Sequence, residues 1–448
     1  MNYLVSFVSL GCDKNLVDSE HMLGLLNQGG FSLTGDEDKA DVVVVNTCCF
    51  IEDAKKESIE NILQVAQYKE NGNCKALIVT GCMAQRYKQE ILDEIPEVDA
   101  VVGTTSYDKI VEIANGILEQ KGLRTQTFDL IDREMLDEMP RILTTAGYFA
   151  YVKISEGCDK HCTYCIIPKL RGKYRSRKMD KIKKEVEQLA KDGVSEIILV
   201  AQDTTEYGSD LEDASLAKLL RELSTVEGIE WIRVLYCYPE SITDELIEEI
   251  KTNPKVCKYL DIPIQHASTA VLKRMARKSS LELLKETIGK LRQEIPGIAL
   301  RTTLIVGFPG ETEEDFNILY DFVKEMRFDR LGVFTYSQEE GTPAAQFENQ
   351  IDEKTKVKRR DAIMALQHGI SQELTAAKVG KEMKVLIEGK ITDEDVYIGR
   401  TYQDAPDIDG EVFVEYEGEL ISGDYVDVRI TGANDYDLIG EIIDEHCE

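Results

Sequence analysis

The chain has 448 residues, 83 acidic against 53 basic, for a formal charge of −30. That length exceeds one ordinary compact domain and carries enough apolar residues for two or three large cores. No run approaches the roughly 18 consecutive apolar residues of a membrane-spanning helix, and Met1 to Gly11 lacks the basic and long apolar regions of a secretory signal. A cytoplasmic protein with no membrane partner is therefore expected. Its 11 cysteines point to metal binding rather than disulfides, because cytosolic thiols are kept reduced.

Residues 1–125 alternate short β-branched runs with amphipathic stretches, the rhythm of an open parallel sheet. The candidate strands are Tyr3 to Ser9, Asp41 to Asn46, Ala76 to Thr80 and Asp99 to Val102. Cys12, Cys48 and Cys82 each follow a strand, spaced by 36 and 34 residues, about one βα unit. They should emerge at the carboxyl ends of the strands, where open sheets bind ligands; Cys74 precedes its strand and faces the other edge. Three convergent thiolates make an open-site iron-sulfur cluster, although on spacing alone small residues in tight turns read the same way. Adjacent side chains of an extended chain point apart, so only one of Cys48 and Cys49 can face the site, and Cys48 is the choice.

Residues 126–144, with mixed charges and Pro140, read as a linker. From 145 to 378 six further βα units suggest a partial, TIM-like (βα)6 barrel. Its strands are Phe149 to Ile154, Glu196 to Ala201, Trp231 to Tyr236, Tyr259 to Ile264, Leu300 to Val306 and Leu331 to Thr335. Helical periods include Lys181 to Asp192, Glu311 to Met326 and a last helix, Glu353 to Lys378. After the first strand comes Cys158-x3-Cys162-x2-Cys165. A zinc knuckle or a cluster held by protein alone needs a fourth ligand nearby, so three imply an iron left open. With Tyr164 before the last cysteine, the stretch resembles the signature of radical S-adenosylmethionine (SAM) enzymes, which implies that SAM chelates the open iron of a 4Fe-4S cluster. On that resemblance Gln202 and Asp203 are candidates for the SAM amino group and Arg301 for its carboxylate, unless Arg301 caps a neighbouring acid. Tyr164 is placed near the adenine. His161 reads as a solvated loop residue, Gln265-His266 as a cavity wall or a structural histidine, and Gly307, Pro309 and Gly310 as a strand-to-helix turn. The basic run Lys169 to Lys178 reads as the strongest positive patch, with a role at the cavity rim.

Residues 379–448 change to short alternating strands, such as Lys384 to Ile387, Val412 to Tyr416 and Tyr425 to Ile430, which fits a small β-barrel. From Gly380 onward there are 20 acidic and 5 basic residues, a segment that attracts a basic partner and repels a nucleic-acid backbone. Cys74, Cys237, Cys257 and Cys447 read as packing or surface residues.

The motifs Ser9-Leu10-Gly11-Cys12-x-Lys14-Asn15-Leu16-Val17-Asp18-Ser19-Glu20, Asn46-Thr47-Cys48-x-Phe50-Ile51, Thr80-Gly81-Cys82, Ile154-Ser155-Glu156-Gly157-Cys158 and Gly307-Phe308-Pro309-Gly310-Glu311 together resemble the methylthiotransferases over essentially the whole chain. Asp13 and Cys49 stand where the family pattern has Pro and Gly. The opening motif is closer to the branch that modifies a ribosomal protein than to the branch that modifies tRNA. The resemblance implies a cluster-binding domain, a radical SAM barrel and a C-terminal TRAM domain. It implies two 4Fe-4S clusters, SAM and an electron donor. The implied reaction places a methylthio group on the β-carbon of an aspartate in small-subunit ribosomal protein S twelve, with the second cluster carrying the sulfur. The alternatives are a tRNA adenosine methylthiotransferase, disfavoured by the acidic tail, and an iron-sulfur carrier without substrate chemistry.

Overall fold

The computed structural model describes residues 3–120 and 122–443; Cys447 lies outside them. The N-terminal sheet has six parallel strands: β1 (Leu4–Ser9), β2 (Ser32–Leu33), β3 (Val42–Thr47), β4 (Ala76–Gly81), β5 (Ala100–Val102) and β6 (Thr125–Thr127), in the order β2-β1-β3-β4-β5-β6. The four valines at 42–45 make β3 a central strand, because a parallel sheet covered on both faces selects an unbroken apolar run. Val43 and Val45 pack with Ile62 and Val65 of the helix Glu52–Ala66. Val42 and Val44 pack on the other face with Met22, Leu26 and Ile110. Sequence reading missed β2 and β6, both at edges and two or three residues long.

The barrel begins with β7 (Phe149–Lys153). The short strands β8 (Ser155–Glu156) and β9 (Arg175–Ser176) form an antiparallel clasp across the cysteine loop. Then follow β10 (Glu196–Val200), β11 (Trp231–Val234), β12 (Val256–Asp261), β13 (Ala299–Val306) and β14 (Arg330–Thr335). The six long strands form one parallel sheet in the order β14-β13-β12-β11-β10-β7, a barrel left open between its first and last strands. Helices on its outside bury Val186, Leu220, Ile250, Ile288 and Leu319 against the strands.

The C-terminal domain is a closed barrel of β15 (Glu382–Lys390), β16 (Val396–Thr401), β17 (Val412–Glu415), β18 (Tyr425–Ala433) and β19 (Leu438–Ile442), in the order β15-β16-β17-β19-β18. It docks through charge. Arg400 and Arg233 share the fully buried Glu196, Arg233 donates to Tyr402 O at 2.7 Å, Arg330 pairs with Asp404, and Arg301 lies 3.4 Å from Asp409.

The N-terminal domain covers the carboxyl-end mouth of the large barrel. Tyr236 Oη donates to Asp13 at 3.1 Å, and Lys14 Nζ sits 3.2 Å from the centre of the Tyr236 ring. Arg86 donates to Glu339 at 3.1 Å and to Glu340 O at 2.8 Å, both beyond β14. The basic run corrects the sequence reading, because it is not a free positive patch. Arg171 and Arg177 are buried, Arg177 pairs with Glu185 and Asp137, and Lys169 donates to Gly341 O. Burial of these cations demands internal partners, and those partners lie too far away in sequence to be foreseen.

Candidate functional site

Cys12, Cys48 and Cys82 stand just beyond the carboxyl ends of β1, β3 and β4, three neighbouring strands. The order 2-1-3-4-5 reverses between β1 and β3, the place where open sheets of this topology bind their ligands. The turns are held open for sulfur. A Cβ on Gly81, whose φ is +92°, would lie 2.5 Å from Thr47 O, so only glycine fits before Cys82. Asn15 locks the crevice by donating to Leu10 O and Thr47 O, each at 3.0 Å.

The Cys48 thiol is pushed up to about 12 by burial and then by the neighbouring Cys82 and Cys12. The Cys49 thiol, also raised to about 12 by burial, has Cys82 and Arg86 beside it, and it packs into the core with Val43, Val45 and Ile62. The two thiols therefore have different surroundings, and Cys48 is the one set beside Cys12. Cys82 is raised by burial and lowered by Arg171, whose Nη2 donates to its sulfur at 3.5 Å.

In the barrel, Cys158, Cys162 and Cys165 follow the β7–β8 strand end and are drawn into one loop. Backbone N–H groups of Lys160 and Ile167 donate to the sulfurs of Cys158 and Cys165, both at 3.4 Å. Burial raises both thiols, Cys158 to about 12, and each feels Cys162 as a neighbour. Gly157 has φ +80°, and a Cβ there would lie 2.0 Å from Lys173 O, so a side chain at this position would push the clasp apart.

The residues present fit a cluster and a polar ligand. Thiolates bind iron in their charged form, and burial without metal opposes that charge, so a cationic group is what would relieve both triads. Among the described residues no three His, Cys, Asp or Glu side chains close on a single metal-ion position. A cluster of several irons would instead be held with each thiolate on a different iron. Buried polar atoms without a hydrogen-bond partner also stand just beyond the strand carboxyl ends, Ser155 Oγ, Gln202 Oε1 and Gln265 Oε1, with Arg277 Nε after the helix that follows. Unsatisfied groups in a native structure call for a ligand or water.

Asp203 is fully buried, its carboxyl pushed up to about 6 by that burial, with Oδ2 3.4 Å from Lys160 Nζ. Gln202 Nε2 donates to Glu156 at 2.7 Å. Tyr164 packs with Met275 and Phe308, its hydroxyl 3.5 Å from Arg277. Arg301 pairs with Asp261 at 3.0 Å and with Asp409, so its guanidinium caps two acids. His161 is exposed. His266 is fully buried, accepting from Ser268 N at 2.9 Å, and is a structural histidine.

Sequence reading missed Arg277, which lies over the Tyr238 ring with its Cζ 4.4 Å from the ring centre, beside Cys162. It also gave no role to Lys153 at the end of β7, Glu156 in β8 or Arg171 at the end of the helix Ile167–Arg171, which join the two domains. The last two stood only within a motif and a basic run.

Comparison with known proteins agrees with this geometry. Residues 4–103 match the uncharacterized protein family UPF0004, residues 152–323 the radical SAM superfamily and residues 379–443 the TRAM domain. The fold is similar to that of the radical SAM methyltransferase TsrM from Kitasatospora setae. That likeness has a TM-score of 0.57 at 16% identity and covers 77% of each chain. Radical SAM proteins use a 4Fe-4S cluster and SAM, and this chain is one of them. Among curated relatives, the ribosomal protein uS12 methylthiotransferase RimO of Lachnoclostridium phytofermentans is 58% identical, covering 97% of this chain and 99% of the relative. The protein of the same name in Acetivibrio thermocellus is 54% identical over 99% of both chains, and that of Clostridioides difficile is 52% identical. At such identity over nearly the full length, with its cysteines carried on the strand ends of two facing domains, the chain belongs to the RimO family of radical SAM methylthiotransferases.

Proposed function

We propose that this enzyme attaches a methylthio group to the β-carbon of an aspartate in ribosomal protein uS12, using SAM, two 4Fe-4S clusters and an external electron donor. The observation that carries the reading is the meeting of two cysteine triads across one seam. Cys12, Cys48 and Cys82 stand at the carboxyl edge of the N-terminal sheet, Cys158, Cys162 and Cys165 at the barrel mouth that this edge covers. The reading divides the chain into a cluster-binding domain at 1–125, a linker at 126–144, the radical SAM barrel at 145–378 and the TRAM domain at 379–448.

Each triad would hold one cluster with an iron left open. Bound there, the clusters supply one-electron cleavage of SAM and the sulfur that ends on the substrate carbon, chemistry beyond any protein side chain. The chain's own residues do the rest. The N–H groups of Lys160 and Ile167 favour the thiolate forms of Cys158 and Cys165. Gln202 offers an unpartnered oxygen and Asp203 a buried carboxyl, both suited to a cationic amino group, and Tyr164 offers an apolar face beside them. The N-terminal domain excludes water from the mouth, which protects a reactive carbon centre. The acidic C-terminal domain suits a basic protein substrate and opposes a polyanion such as tRNA.

The test is mass spectrometry of uS12 and of tRNA from cells lacking this gene, complemented with the intact gene or with Cys158→Ala. The expected result is uS12 without the methylthio increment in the deletion, its return only with the intact gene, and tRNA unchanged. Loss of the increment from tRNA with uS12 unaffected would overturn the reading.

A further inference from the structure

Arg171 ends the short helix Ile167–Arg171 that begins two residues after Cys165. It belongs to the barrel, yet most of its contacts reach the other domain. Nη1 donates to Asp18 Oδ2 at 2.7 Å and to Glu156 Oε2 at 3.1 Å. Nη2 donates to Asn15 Oδ1 and to Cys82 Sγ, the latter at 3.5 Å. Lys153 pairs with the same two carboxylates, lying 2.9 Å from Glu156. Asp18, Lys153, Glu156 and Arg171 are all buried.

Two cations against two carboxylates balance without the sulfur. A lysine at 171 could supply the same charge, but it lacks the planar fork that reaches carboxylates with one nitrogen and Cys82 with the other. Buried ion pairs contribute little net stability compared with apolar residues of the same size, so stability is a weak reason for this arrangement. Its distinctive product is a charge-assisted N–H···S contact delivered from one domain to a cysteine of the other. Hydrogen bonds to the sulfurs and nearby charge set iron-sulfur potentials, because reduction adds negative charge that such donors stabilise.

We infer that Arg171 is a positioning residue that raises the reduction potential of the N-terminal cluster from across the domain seam, making that cluster's potential a property of the docked protein. This rests on the reading of Cys12, Cys48 and Cys82 as ligands. The step concerned is addition of one electron from an external reductant to the oxidised cluster, with no bond made or broken.

The experiment is a redox titration followed by electron paramagnetic resonance, in full-length protein carrying Cys158→Ala, Cys162→Ala and Cys165→Ala so that only the N-terminal cluster remains. Arg171→Met should shift the midpoint to more negative potential while iron content is retained. Arg171→Lys keeps the charge facing Asp18 and Glu156, so it guards against failure to fold, and it should shift the midpoint the same way by less. An unchanged midpoint in Arg171→Lys with iron retained overturns the inference. Failure of the underlying reading looks different: in otherwise intact protein, replacing Cys12, Cys48 and Cys82 by Ala would then leave iron content unchanged.

Discussion

Cys48 and Cys49 are neighbours in sequence and both lie near Cys82, but only Cys48 also stands beside Cys12, while Cys49 packs with Val43, Val45 and Ile62. Cys48→Ala should remove the iron of the N-terminal cluster, read by iron analysis of anaerobically purified protein. Cys49→Ala should keep it and lower stability by about 1 kcal/mol, as an ordinary core truncation does. A second residue pair gives a pH signature. Burial lowers His266 to about 3, so the unfolded chain takes up the proton first and stability falls as pH drops from 6.5 toward 3. Glu311, whose carboxyl oxygen lies 3.9 Å from His266, is raised by burial to about 7, so the folded chain takes up that proton first and stability rises as pH falls from 7 toward 4.5. The two effects oppose each other in the intact protein. His266→Gln removes only the first, and its stability relative to the intact protein should grow by about 2 kcal/mol between pH 7 and pH 5 in urea titrations. A constant difference would show that His266 takes up its proton near 6.5 in the folded state.

Among the elements, those with strong patterns are legible in the sequence. The central strands β3, β4 and β10 are mostly apolar runs, and the helix Glu313–Met326 carries a capping box between Thr312 and Asp315. The strands β2 and β6 escaped sequence reading because they are two or three residues long, and pairing with neighbours defines them. The seam between the barrel and the C-terminal domain was equally hidden. Glu196 is fully buried between Arg233 and Arg400, and removing its charge leaves the desolvated Arg233 without a carboxylate and Arg400 with Glu388 alone. Glu196→Gln should therefore lower stability by about 3 to 5 kcal/mol, and limited proteolysis should release the C-terminal domain. Arg400→Met leaves Glu196 paired with Arg233 and should be milder; equal damage from both changes would remove the charge argument.

At the scale of the whole molecule, the charge of −30 is spread so that the C-terminal barrel carries a large share of it, with Glu415, Glu417 and Glu419 exposed. Such a surface steers a Lys- and Arg-rich partner at long range. Binding of the full-length enzyme to purified uS12 should slow as salt rises from 0.1 M to 1 M, over which the Debye length falls from about 10 Å to about 3 Å. Reversing the three glutamates to Lys should reduce the association rate more than it changes dissociation, a split that interferometry resolves. Salt-independent association would place recognition in apolar contacts instead.

The identity and spacing of the cysteines, the βα rhythm and the change to short strands after residue 378 are local facts. They carried the three-thiolate site of the barrel, the barrel class and the small C-terminal barrel, because strand and helix periods and thiol spacings are written in neighbouring residues, whereas the second cluster rested on the signature downstream and the family resemblance. Which charges meet is not written there. Arg171 reaches Asp18 across 153 positions and Arg330 reaches Asp404 across 74, so the sequence placed the basic run at the cavity rim without its partners and left Arg301 between a cofactor carboxylate and a neighbouring acid. Only folding brought those cations to their acids, because a buried charge is stable only beside its counter-charge and the counter-charges lie on other strands, helices and domains.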